Sequence, residues 1–513
     1  MIGLTLVLLA TGAGAVLTAN DLALPTARVV GGNLPVAAAA TDPLDVAAHN
    51  SPTIRANPTD PDNLVVVDRV DSPRTGCAMH VSFDRGARWA ETVVPVPDAK
   101  VSACFSPDLA FGPDGVLYVS FTSFAEVDNR GIVPDTVWVS TSRDGGRTLS
   151  SPVAASGPMG FQVRVIADAG TPGRAYLSWV QVSSTGAYGF TSDANPVVVS
   201  RTDDGGATWA AAVTVSPPGR ARVVAPSMAT GPKGRLYVAY LDVGNDILDY
   251  SGAHEGRGGP AYPGPWSLVL ARSGDGGVSW SEAVVDTALV PTERFLQVHP
   301  PTPSVIVDPA SGRLYLCFHD ARLGDADVWV WSSDDATRWN PPRRVNDTPR
   351  GDGRAQYLPQ LAIAPNGRLD VVYYDRRADP LDRYNEVSLQ SSVDKGATFA
   401  PHLRLSDAAF DASRGAGADR GLPDLGNRLG LLASNAGSLA VWADTRAATD
   451  GVNKQVLARS AVAVSRGSTL RQPLQLIGYG LMAGAAFALL AFLVLSRRHR
   501  SQELGARRWF RAF

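Results

Sequence analysis

SRTDDGGATWA, Ser200 to Ala210, comes back five more times in near copy along the chain. SFDRGARW ends at Trp89, SRDGGRTL at Leu149, SGDGGVSW at Trp280, SSDDATRW at Trp339 and SVDKGATF at Phe399. The shared frame is Ser/Thr-x-Asp-x-Gly-x-x-aromatic, with Ala336 in place of the glycine in the fifth copy and Leu149 in place of the aromatic in the second. The frame puts its aspartates at Asp84, Asp144, Asp204, Asp275, Asp334 and Asp394, in steps of 60, 60, 71, 59 and 60 residues. A period that regular predicts one structural unit repeated as a stack or a ring.

Each unit reads as four short strands. An apolar first strand ends in a Gly-containing turn, as in SPDLAFGPDG from Ser106 and LPQLAIAPNG from Leu358. A second follows, as in VLYVSF, RLYVAYLD and RLYLCFHD; a third runs into the recurrent frame; a fourth starts at its aromatic. Alternation and β-branched content are those of strands, with turn residues between them. Four-stranded units closed into a ring make a β-propeller, which leaves only short, protected sheet edges. In the recurrent turn the aspartate accepts backbone N–H groups, the glycine permits positive φ and the aromatic packs between sheets.

The frame resembles the Asp-box, or BNR, repeat of sialidases and related propellers, over roughly Ser51 to Ala463. The resemblance implies an all-β propeller whose boxes lie away from the functional face. Strand-one starts near Thr53, Leu109, Val163, Pro226, Pro303, Pro359 and Leu422 predict seven blades, with the six of sialidases as the alternative. The seventh unit has three strands and no box, while Thr26 to Val36 lies unused before the first blade. This segment is predicted to close the ring by pairing with residues 455–464.

Loops between strands two and three share a face with the links between blades, opposite the boxes. There stand Asp320 and Arg322, Asp375 and Arg377, and Asp444 and Arg446, with Asp68-Arg69 and Asp242 at the same point of blades one and four. Two readings stay open: ion pairs bracing neighbouring blades, or guanidiniums that clamp a ligand carboxylate. Two segments break the repeat. Leu241 to Trp266 carries Tyr250, His254, Glu255 and Arg257, and Val290 to Pro303 carries Glu293, Arg294 and His299. Long loops on a rigid scaffold are where binding concentrates.

The sialidase resemblance further implies a tyrosine nucleophile with a carboxylate partner, an acid/base aspartate and three arginines on the substrate carboxylate. Arg55 in TIRANP, Asp68, Tyr250 and Glu255 are the catalytic candidates on that reading. The family's Arg-Ile-Pro order is absent at Arg55. We therefore expect a non-catalytic, membrane-anchored module that binds a glycan or an envelope protein, with an exo-sialidase or other glycoside hydrolase acting on cell-surface or environmental glycans as the alternative.

Both ends and the charge bear on location. Ile2 to Ala15 is an apolar run with an Ala13-x-Ala15 site, so residues 1–19 read as a signal-peptide-like segment. A linker, 465–473, leads to 22 uncharged residues, 474–495, about 33 Å as a helix and long enough to cross a bilayer. Arg497, Arg498, His499 and Arg500 follow, which predicts a cytoplasmic tail, 496–513, and an outward propeller, 26–464. Gly480 and Gly484 offer a helix-pairing face. The formal net charge is -2; the last seventeen residues hold six Arg and one Glu, or +5, which leaves about -7 for the rest and argues against a nucleic-acid partner. Cys77 and Cys104 read either as a disulfide or as two thiols, and Cys317 as a buried thiol. No cysteine or histidine spacing points to zinc, and no cofactor or metal is expected.

Overall fold

The computed structural model describes residues 27–36, 46–97, 103–126, 132–182, 195–220, 222–246, 262–292, 301–417, 424–449, 454–465, 484 and 486–498. The chain divides into two compact units, Val29–Val462, and Met1–Arg28 with Ala463–Phe513.

The first unit is a seven-bladed β-propeller. Each blade is built on a four-stranded sheet, to which blade six adds a short fifth strand, Phe410–Asp411, paired with Tyr384–Ser392, and the strands follow chain order in all but the last blade. Blade one, for example, runs His49–Asn57, Asp60–Val70, Gly76–Ser82 and Ala90–Thr92. Blade seven is built from Gly430–Ser434, Gly437–Asp444 and Val456–Val464, and its outer strand is the N-terminal segment Ala27–Pro35. The expected closure is therefore found, and with it the count of seven. Val36 N–H donates to Leu457 O at 2.8 Å, and Asn33 is held by Asp407 and Leu405 O of blade six. The expected seventh start, Leu422, lies outside the described residues, and the strand begins at Gly430.

The recurrent turns share one hydrogen-bond pattern. In five copies the Ser or Thr hydroxyl donates to the aspartate at 2.7–2.9 Å and accepts the N–H of the glycine four residues on from its own position. The same carboxylate accepts the N–H four residues beyond itself, as Asp204 does from Thr208 at 3.0 Å. The fifth copy corrects the alignment: Asp335, not Asp334, fills the role, with Ser333 as its hydroxyl partner. One residue fewer separates hydroxyl from aromatic there, so the turn slides by one position. Asp334 instead pairs with Arg313 at 2.5 Å. Ala336 takes φ +60°, the left-handed geometry that glycine supplies elsewhere.

The ring's core is the set of interfaces between blades. The residues at the aromatic position of the turn are part of it: Leu149 packs against a cluster that includes Val65, Val81 and Leu117, and Trp280 against one that includes Tyr176, Val199 and Leu236. Four of the turns also dock on the preceding blade. Asn63 donates to Gly145 O, Arg201 to Gly276 O, Arg272 to Asp335 O and Arg459 to Ala87 O. Cys77 and Cys104 form a disulfide between blades one and two, with Cα atoms 5.4 Å apart. Cys317 is a buried thiol whose pKa burial pushes up.

In the second unit, the described residues are helical at 484 and 486–498, with Phe487, Leu490 and Leu495 more than half exposed. Half of the expected crossing segment, residues 474–483 and 485, lies outside the described residues, and no helix among the described residues is long and apolar enough to cross a membrane. Residues 1–26, most of the linker 465–473, Gly480 and the tail beyond 498 lie outside the described residues.

Candidate functional site

The innermost strands carry a second repeated device, which the sequence reading missed. Ser51, Ser106, Gln162, Ala225 and Leu358 stand at equivalent places near the start of strand one, all with φ between +49° and +57°. Each coincides with a register shift against strand two, a β-bulge. In blade seven Gly426, φ +90°, takes the place. Left-handed backbone at non-glycine residues costs on the order of 1–3 kcal/mol each, and it persists only where the surroundings over-determine it.

The bulge re-aims the residue two positions on, which turns toward the axis of the ring. Thr53, Asp108 and Arg164 occupy that place in blades one to three, and Ser227, Gln360 and Arg428 in blades four, six and seven. Ser304 is the equivalent in blade five. Together with Arg55, next but one along its strand from Thr53, they line a central cavity of about 370 Å³. A pocket of that size suits a small ligand or one residue of a polymer.

The ring's backbone repeats while its side chains do not. On one side they knit blade to blade: Arg428 Nε donates to Thr53 Oγ1 at 2.8 Å, and Thr53 donates to Asp108 at 2.9 Å. Asp108 also accepts Val165 N–H at 3.2 Å, and the Arg428 Nη2 group donates to Pro107 O. Opposite, Gln360 donates to Ser304 at 3.0 Å. Arg164 donates one Nη to Thr302 at 2.7 Å, while its other, Nη1, is buried with no partner.

Three guanidiniums thus face one carboxylate. Burial, followed by repulsion from Arg164, holds the Arg428 guanidinium well below its ordinary range, and Asp108 offsets only part of this. Burial likewise lowers Arg164, with Asp108 opposing and Arg55 adding to the shift. The cavity is therefore short of negative charge, and a bound anion would relieve both groups.

The residues named from sequence are distributed differently. Arg55 lies on the cavity. Asp68 does not: it is fully buried in blade one between His49 Nδ1 at 2.7 Å and His80 Nε2 at 3.0 Å. Tyr250, His254, Glu255, Arg257, Arg294 and His299 lie outside the described residues. Asp320, Asp375 and Asp444 hold Arg322, Arg377 and Arg446 within their own blades. Each arginine also reaches back to the preceding blade: Arg322 to Asp286 at 2.9 Å, Arg377 to Asp347 at 2.6 Å, and Arg446 to Asp407. Those guanidiniums are engaged by carboxylates within the ring.

Asp108, Arg164 and Arg428 went unnamed from sequence, although SPDLAF, FQVRVIA and GNRLG place them at one position of the repeat. The available signal was polar residues, differing from blade to blade, inside strands that are otherwise apolar.

No family model matches the chain, and no curated protein sequence matches it. Solved structures do. A polysaccharide lyase of family PL25, an ulvan lyase, superposes with a TM-score of 0.50 at 11% identity, over 85% of this chain and 96% of that one. A protein of unknown function from Dyadobacter fermentans superposes with a TM-score of 0.49 at 14% identity, over 86% and 100%. A Hadza microbial sialidase gives a TM-score of 0.43 at 17% identity, over 78% and 73%. At such identities the likeness is one of fold.

Proposed function

We propose that this propeller binds an acidic glycan, with a carboxylate or sulfate group seated on Arg164 and Arg428 in the central cavity, and does not cleave it. The observation that carries the reading is the buried Arg164 Nη1 without a partner, in a cavity where three guanidiniums face one carboxylate. A guanidinium fork suits either anion, and a charge-assisted bond in a buried site is worth about 1.5–3 kcal/mol. The sugar class is taken from the ulvan lyase, one structure of which holds -[GlcA(1-4)Rha3S]-. The non-catalytic part rests on the lining: among the described residues it includes neither a tyrosine nor a glutamate, and Asp108 is engaged by Thr53 and Val165. In this reading the recurrent turns are Asp-boxes. Residues 474–495 anchor the chain, with Gly480 and Gly484 on a pairing face, Arg497 to Arg500 hold the tail inside, and the propeller meets its ligand outside the cell.

Hydrolysis is the second reading, favoured by the convergence of three arginines that include Arg55. Calorimetry of the purified full chain with uronate- and sulfate-bearing oligosaccharides, beside a fluorogenic sialoside assay, separates the two. Expected are binding without turnover, and binding weakened about tenfold or more in Arg164→Met. That variant should keep its thermal stability, since it removes a charge that repels Arg428. Equal affinity in Arg164→Met would refute the cavity as the site. Turnover lost in Arg55→Ala would refute the non-catalytic reading.

A further inference from the structure

Blade one contains a polar cluster that the central cavity does not use. His49 comes from its first strand, Asp68 from its second and His80 from its third. One ligand atom from each lies within 4.8 Å of the other two, and all three residues are buried. We propose that His49, Asp68 and His80 bind a divalent transition-metal ion of the zinc class.

The donor set is the first argument. Two imidazole nitrogens and one carboxylate oxygen are ligands that zinc and its borderline neighbours take, and calcium or magnesium would want oxygens alone. Three protein ligands leave a fourth position for water, because no fourth His, Cys, Asp or Glu joins the cluster among the described residues.

Charge balance is the second. Asp68 is fully buried, and its two carboxylate oxygens meet only neutral-capable rings, His49 Nδ1 at 2.7 Å and His80 Nε2 at 3.0 Å. Arg69, next in sequence, is committed to Asp71 at 2.7 Å and to Asp424. A buried carboxylate needs a counter-charge. A divalent ion supplies one.

Geometry is the third. The hydrogen-bonded separations of 2.7 and 3.0 Å are shorter than the roughly 3.3 Å between two donors bound tetrahedrally at 2.0–2.1 Å. Entry of the ion therefore replaces both hydrogen bonds and moves each imidazole nitrogen a few tenths of an ångström farther from the carboxylate. The path is past His49, whose side chain is 10% exposed while Asp68 and His80 are at most 1%. The three strands are already pinned: Val66 pairs with His80, Asp68 with Ala78, and the Cys77–Cys104 disulfide crosses to blade two. His49 N–H also donates to Gln455 O of blade seven at 3.0 Å. The ion would accordingly brace the seam where the first and last blades meet, which gives the test a readout in stability.

The purified full chain, stripped with a chelator and reloaded with zinc, is dialysed and measured by elemental analysis, and its melting is followed with and without zinc. Retention of about one ion per chain and a melting temperature raised by several degrees are expected, by mass action on the folded state. Both should be lost in His49→Ala. Failure of the wild type to retain zinc or to gain stability overturns the site, as does equal retention in His49→Ala. If His49→Ala does not fold, X-ray absorption at the zinc edge of the wild type decides: two imidazoles in the first shell support the site, and a shell without imidazole overturns it.

Discussion

The rim of recurrent turns and the central ring are both products of the repeat, and they have kept different things. At the rim, residue identity is largely preserved: hydroxyl, aspartate, small residue and, in all copies but the second, an aromatic recur, and they are consumed in bonds within the turn and, in four copies, to the blade before it. In the ring, backbone geometry is preserved and identity is not. The bulges near Ser51, Ser106, Gln162, Ala225 and Leu358 present threonine, aspartate, arginine, serine and glutamine in turn. Identical residues can build identical interfaces, which is what closing a ring requires. A ligand has no sevenfold symmetry, so the place that meets it is where the blades should differ.

Three substitutions sharpen that contrast, from the largest effect to the smallest. Gly426→Ala strikes the ring's backbone. It places a side chain at φ +90°, with a Cβ 2.5 Å from the Ser51 nitrogen, where blade seven meets blade one. Left-handed strain and overpacking together predict a loss of about 3–5 kcal/mol in chemical denaturation. A loss under about 1 kcal/mol would mean the ring backbone yields easily and does not set the cavity's shape.

Asp204→Ala strikes the rim. It removes the acceptor for Thr208 N–H and for the Thr202 and Thr208 hydroxyls, and should cost roughly 1–3 kcal/mol. Ligand affinity of the folded variant should equal that of the wild type by calorimetry. A changed affinity at unchanged stability would break the division between rim and ring.

Lys395→Gly is the smallest. Lys395 is exposed at φ +63°, where Gly145, Gly205 and Gly276 stand in other copies of the turn. Relief of left-handed strain, less the entropy of a new glycine, predicts a gain of about 0.5–1 kcal/mol. A loss of stability would show that the lysine side chain contributes something at the rim that the repeat does not reveal.

Legibility in the sequence followed the same division. Asp84, Asp144, Asp204, Asp275 and Asp394 could be named in advance because a turn is local: its donors and acceptors lie within about seven residues, so their spacing survives in the string. Asp334 was named in place of Asp335 for the same reason, since counting back from Trp339 cannot see a turn shortened by one residue. The closing strand was also readable, because a blade short of a strand and an unused strand at the other end imply one another.

The amino-acid sequence by itself determined the repeat and the four-stranded unit and pointed to seven blades over six and to closure by the N-terminal segment, all of which rest on short-range pattern or on a tally of strands. Only the tertiary structure decided which polar residues meet. Arg55, Arg164 and Arg428 come from blades one, three and seven and converge because left-handed residues at the start of strand one, bulged in five blades and glycine in the seventh, turn the following side chains toward a common cavity. His49, Asp68 and His80, spaced 19 and 12 residues apart, form one cluster because three antiparallel strands lie side by side in register. Convergence depends on closure and register, which are properties of the whole ring, and no window of the chain contains them.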